Sequence, residues 1–226
     1  MSDLYTRFIA NLVFPLQERV KKHDTVRVRR QMEESQWWSA ERIAALQVER
    51  LKAFLTDIGA NVPYYRELFA STGFDPRAVK STADLQSLPF LTKAVIKDNT
   101  DALRADDAKG LARFNTGGSS GVPLIFFIGT ERVTHDVAAK WRATRWWDVD
   151  IGDPEVVVWG SPIELGTQDR MRLIRDKLMR TELLPAFEMS DERVEAFIAR
   201  IRQMRPKMLF GYPSAISHIA GYAEKK

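Results

Sequence analysis

The chain has no cysteine in its 226 residues. That excludes a disulfide framework, a thiol nucleophile and a thiolate metal site, and it fits a cytoplasmic protein. Histidine is scarce as well. His23, His135 and His218 stand far apart and lack the His-Glu-x-x-His spacing of a zinc site. Gly-x-Ser-x-Gly is absent, which argues against a nucleophile-elbow hydrolase. Long apolar runs are missing too. Phe8–Phe14 is too short to cross a bilayer, and Arg7, Asn11 and Pro15 bound or break it, so no membrane-spanning or targeting segment is expected. Neither sign of charge prevails: 34 basic residues face 30 acidic ones, a formal net charge of +4. Basic residues cluster at Arg27–Arg30 and from Arg170 to Arg180, where Asp169, Asp176 and Glu182 interleave as on a solvated helix face. No groove-reading module or aromatic-interleaved basic stripe accompanies them, so nucleic acid is not an expected partner.

What is present is ordinary globular composition, 45% hydrophobic and 28% charged, enough to bury a sizeable core. The expected fold class is α/β, with a mostly helical segment over residues 1–105 and βαβ units on a largely parallel sheet over 106–226. Leu4, Tyr5, Phe8, Ile9, Leu12 and Val13 follow helical spacing. They read as an amphipathic helix packed on its own protein, with a membrane surface or a partner as the other reading. Ser39 can cap a helix carrying Ile43, Leu46, Leu51, Phe54, Leu55 and Ile58, with Gly59 where it should stop. Trp37 and Trp38 read as core or interface aromatics, and Pro63 as the first turn of a helix. Val156–Trp159 is an apolar run, as expected of a strand buried on both faces. Ser190 caps the clearest helix, whose stripe of Val194, Phe197, Ile198, Ile201 and Met204 ends at Pro206.

The most informative segment is Thr116-Gly117-Gly118-Ser119-Ser120-Gly121-Val122-Pro123, followed by Leu124–Ile128. Three glycines and three hydroxyls in six residues give a loop whose N–H groups can turn toward an anion without Cβ interference. Nearby Arg113 can add positive charge. No Gly-Lys-Ser/Thr closes the loop and a strand-like run follows it, so it is not a Walker loop. A plain Gly/Ser turn of a hairpin has the same composition. Ligands of open α/β sheets gather at the carboxyl ends of strands. Trp159-Gly160-Ser161-Pro162 and Gly211-Tyr212-Pro213-Ser214, each after an expected strand, are therefore candidate pocket walls or ordinary strand-to-helix turns.

Thr116–Pro123 and its strand resemble the phosphate loop of the adenylate-forming enzymes, and more narrowly that of the phenylacetate–coenzyme A ligase family. Three other segments are similar to that family in the same order: Val62–Arg66 with Gly73-Phe74, Asp84–Lys93, and Gly211–Ser214 with Ile219-Ala220. Ser35–Trp38 and Trp159–Pro162 look closest to members linked to capsular or exopolysaccharide synthesis.

The resemblance implies part of the large N-terminal domain of such an enzyme. The carboxylate-activating function would run through ATP with Mg2+, and coenzyme A would be a candidate co-substrate. In this reading Thr116, Gly117, Gly118, Ser119, Ser120 and Gly121 hold the ATP phosphates, while Trp159, Gly160, Gly211, Tyr212 and Pro213 line the pocket of a small-molecule carboxylate. No metal ligand is assigned. The family's downstream motifs and small lid domain have no counterpart here, so a fragment inactive alone, self-associating through an exposed sheet edge, is expected. A non-catalytic binding or assembly module of the same half-fold is the alternative.

Overall fold

The computed structural model describes residues 3–116, 123–160 and 170–225. They fall into two compact units, Met1–Lys22 with Lys140–Lys226, and His23–Ala139.

The first unit is built on β3 (Glu155–Trp159), flanked in parallel by β4 (Thr181–Pro185) and β5 (Met208–Gly211) in the order β4-β3-β5. Val157 stands opposite Leu183 on one side and Phe210 on the other. A strand places alternate side chains on opposite faces. Val156 and Val158 therefore point one way, with Leu184, into a buried cluster completed by Val194, Phe197, Ala215 and Ile219. Val194 and Phe197 come from α9 (Asp191–Met204), Ala215 and Ile219 from α10 (Pro213–Glu224). Each such side chain taken from water contributes about 1.5–3 kcal/mol. The expectation of a strand buried on both faces holds in part: Val156 and Val158 are fully buried, whereas the other face runs from buried Glu155 through half-buried Val157 to exposed Trp159. The intervening helices α9 and α8 (Arg170–Leu178) make the crossovers that parallel strands need.

Helix formation at the chain's start is continuous from Leu4 to Val20. It passes from α1 (Leu4–Phe8) through a π-helical turn (Ile9–Val13) into α2 (Phe14–Val20). Pro15 does not end the helix as expected. Proline lacks an N–H and crowds the carbonyl four residues back, and the wider π turn just before it accommodates both. The inner face carries Thr6, Ile9, Ala10, Phe14 and Glu18. Ile9 lies so close to Gly152 that a Cβ there would sit 2.7 Å from its own Cβ. Thr6 Oγ1 donates to Asp153 Oδ1 at 2.7 Å, and Lys207 Nζ approaches Asp153 Oδ2 at 3.1 Å, so this buried carboxylate is fully engaged.

In the second unit, which opens with α3 (Thr25–Ser35), α4 (Ala40–Asn61) packs on α5 (Pro63–Thr72) through Leu55, Ile58, Val62 and Phe69, with Val79 beneath. Ser39 caps α4 by accepting the Arg42 N–H, as the sequence predicts. Gly59, however, is not the stop. A Cβ on it would meet Phe69 Cδ2 at 2.9 Å, so this glycine lets α5 approach, and Val62-Pro63 ends the helix instead. Phe54 is exposed rather than on the buried stripe, and Trp37 is exposed rather than in a core. Gly73, at φ 67°, closes α5 in the left-handed conformation. Beyond it, a capping box of Ser81 and Asp84 opens a 3-10 turn (Thr82–Ser87), and Thr92 caps α6 (Lys93–Asp98). The hairpin β1 (Ala112–Asn115) and β2 (Ile125–Ile128) follows, antiparallel with Arg113 opposite Phe127. The division between units falls inside α7 (Thr130–Arg145).

Candidate functional site

In the second unit, Thr116 sits where the β hairpin opens into the Gly-rich segment. Its N–H donates to Leu124 O at 3.0 Å, and its Oγ1 accepts the Leu124 N–H at 3.0 Å. The hydroxyl thereby closes the base of the loop and keeps its own proton to donate. Phe114 and Phe126 stack across the strands at 6.2 Å, on the face opposite Arg113 and Phe127. Gly117–Gly121 and Val122 lie outside the described residues.

Beside this loop base is a cavity of about 470 Å³ lined by Lys93, Lys97, Thr100, Arg113, Pro123 and Ile125 among others, with no carboxylate among its described lining residues. Helix α6 explains the first two. Thr92 Oγ1 accepts the Val95 N–H at 3.3 Å, starting a helix in which Lys93 and Lys97, four apart, share a face. Three cationic side chains and no acid among the described lining residues are a chemistry suited to a polyanion. Sequence reasoning marked Arg113 but missed Lys97 and gave Lys93 no role in the site. The readable signal is the cap at Thr92 followed by lysines at i+1 and i+5.

In the first unit, the structure brings together all five expected pocket residues at the carboxyl end of the parallel sheet. Trp159 ends β3, and Gly160 follows at φ 102°, a conformation that excludes a side chain without strain. Gly211 ends β5, Tyr212 is the residue before α10, and Pro213 is its first residue. A Cβ on Gly211 would lie 2.1 Å from Val158 O, so only glycine lets the two strand ends meet. The Tyr212 N–H donates to that carbonyl at 3.1 Å.

This geometry lays the Tyr212 ring on Trp159 at 4.1 Å between centroids and 15° between planes. Phe210 extends the slab, 6.3 Å from Trp159 at 13°. The sequence reading missed Phe210, although positions 210 and 212 of one extended run face the same way. Lys140 Nζ sits 4.5 Å over the Phe210 ring and 2.5 Å from the buried Glu155 Oε1, so its charge is neutralised under the slab. Three nearly parallel, part-exposed rings, stacked on one another, present aromatic surface against which a flat apolar or aryl group could lie. His218 is exposed on α10, and no cluster of three or more His, Asp or Glu among the described residues can hold a metal ion.

No family model matches the chain. It is 25% identical over 178 residues to Protein CapK of Staphylococcus aureus, a match covering 78% of this chain and 39% of that protein. It is 36% identical over 89 residues to the phenylacetate-coenzyme A ligase of Aromatoleum evansii, covering 38% of this chain and 20% of the ligase. Among solved structures, an open conformation of 2-hydroxyisobutyryl-CoA ligase in complex with 2-HIB-AMP and CoA superposes with a TM-score of 0.61 at 19% identity. That likeness covers 82% of this chain and 44% of the ligase chain. The chain thus spans less than half the length of each of these relatives. In sequence the chain is thus similar to parts of Protein CapK and of phenylacetate-coenzyme A ligase, and in fold to part of a CoA ligase.

Proposed function

We propose that the chain supplies the phosphate-holding hairpin and the carboxylate-pocket wall of an ATP-dependent, adenylate-forming acyl- or aryl-CoA ligase-like activity in polysaccharide biosynthesis. The observation that carries this reading is the cavity lined by Lys93, Lys97 and Arg113, with no acid among its described residues, beside Thr116 at the end of β1. The polysaccharide role rests on the resemblance of Ser35–Trp38 and Trp159–Pro162 to members linked to that synthesis.

In this reaction a carboxylate oxygen attacks the α-phosphorus of ATP, and the bond to the bridging oxygen breaks with its electron pair leaving on pyrophosphate. The acyl-adenylate then loses AMP as a thiol sulfur, such as that of coenzyme A, bonds to the acyl carbon and gives up its proton to solvent. Such transfers depend on positioning and on neutralising oxyanion charge. The Thr116 hydroxyl, Ser119, Ser120 and the N–H groups of Gly117, Gly118 and Gly121 hold the β- and γ-phosphates. Lys93, Lys97 and Arg113 balance their charge. Magnesium finds no protein-made cluster among the described residues, so it would travel on the phosphates, and no step is assigned to it. The Trp159–Tyr212–Phe210 slab takes the flat or apolar part of the carboxylate.

Calorimetric titration of ATP into the 226-residue chain tests this. Arg113→Glu should weaken binding about tenfold or more, because an attractive charged contact becomes a repulsive one. Gly118→Asp should abolish it through crowding and like charge. Unchanged affinity in both folded variants would mean that ATP, if bound, is held elsewhere.

A further inference from the structure

The helix Leu4–Val20 carries a second apolar stripe that its own unit leaves uncovered. Leu4, Phe8, Leu12, Leu16 and Val20 recur every fourth residue, and each is between 50% and 84% exposed. The regular spacing is a product of the π turn. In a uniform α-helix a four-residue repeat drifts round the axis, whereas the wider turn at Ile9–Val13 holds it nearer one line. The stripe is separate from the docked face, which uses Ile9, Ala10 and Phe14.

Between Leu4 and Lys22 the exposed charges beside it are of one sign, and the acids at its two ends, Asp3 and Asp24, are paired with Arg180 and Arg27. Arg7, Arg19, Lys21 and Lys22 are exposed along the same helix and its end. The sole acid between Leu4 and Lys22 is Glu18, which is buried on the inner face with Lys21 Nζ 3.5 Å away. We propose that this helix is an interfacial anchor that lies in the surface of an anionic lipid bilayer, with its stripe among the acyl chains and its basic side chains at the headgroups. An apolar face flanked by Lys and Arg has the chemistry such a surface recognises. Lysine and arginine stems can lie along the stripe while their heads reach the phosphates. The occupant is lipid rather than a second copy of the helix. Pairing two stripes would bring Arg7 and Arg19 against like charges, with no exposed acid between Leu4 and Lys22 to meet them. No described helix is long and apolar enough to span a membrane, so the contact is with one leaflet.

Co-sedimentation of the full chain with phosphatidylcholine vesicles, with and without phosphatidylglycerol, tests the proposal. The wild type should bind the anionic vesicles and release as salt rises. Leu12→Glu with Leu16→Glu should lower the partition coefficient at least about tenfold. Arg7→Glu with Lys22→Glu should remove the preference for phosphatidylglycerol. Because the chain has no cysteine, Leu12→Cys gives one attachment point for an environment-sensitive dye, whose emission should rise on adding anionic vesicles even if the double glutamate variant misfolds. A folded wild type that ignores anionic vesicles overturns the proposal, as does a dye at position 12 that reports no change. A concentration-dependent dimer dissolved by the glutamate pair, without vesicle binding, would make the stripe an interface between copies instead.

Discussion

Gly211 is the single residue on which the sheet-end patch most depends. Its missing Cβ would fall 2.1 Å from the Val158 carbonyl oxygen and 2.8 Å from the carbonyl carbon, backbone atoms that cannot swing aside. Gly211→Ala must push β5 away from β3, lengthen the Tyr212 N–H to Val158 O bond and open the Trp159–Tyr212 stack. The expected cost is about 1–3 kcal/mol or more, read as a lower urea midpoint with altered tryptophan fluorescence. Gly221, with nothing within 4 Å of its would-be Cβ, is the control and should accept alanine with little loss. An unchanged midpoint in Gly211→Ala would contradict the close approach. At this scale the sequence is uneven. Gly211 and Tyr212 stood out by their place after an apolar run, whereas Gly59 read as a helix stop when its role is contact with Phe69. Identity alone does not separate a glycine needed for φ from one needed for space.

Among the elements, the N-terminal helix is held by a polar fastening at its first turn. Asp3 caps it by accepting the Thr6 N–H at 2.6 Å, and Arg180 Nη1 donates to Asp3 Oδ2 at 2.8 Å. The Arg180 contact, then the Thr6 N–H, hold the Asp3 carboxyl well below the usual carboxylate range. A folded-state pKa lowered in this way adds stability that is present above the unfolded value, about pH 4, and is lost as pH falls toward the folded one. Asp3→Asn keeps a competent cap but removes that charge. Its acid unfolding curve should therefore be flatter than the wild type's below about pH 4, and added salt should narrow the difference, since the group is exposed. Parallel acid curves would remove the ion pair from the account.

Elements were the most legible level. The caps at Ser39 and Ser190 and the strand–helix alternation are read correctly from local chemistry. What local chemistry could not say is which apolar stripe of the first helix is covered. Leu4, Phe8 and Leu12 look as core-like in sequence as Ile9, and only the contact with Gly152 and Asp153 selects the inner face.

The whole molecule presents two units, one with the cation-lined cavity at the hairpin and the other with the aromatic slab at the sheet end. An adenylate-forming reaction needs both kinds of surface, one for phosphates and one for the acyl or aryl group. The resemblance in sequence pointed to the loop and the slab, but the basin of Lys93, Lys97 and Arg113 emerges only when α6 folds beside the hairpin. The central claim, that this hairpin is a phosphate cradle, is tested most directly by following backbone amide resonances of the labelled chain while ATP is added. The account predicts that the largest shifts fall on Gly117, Gly118 and Gly121, with smaller ones at Lys97 and Arg113. ATP that shifts other regions and leaves these glycines unmoved would contradict it.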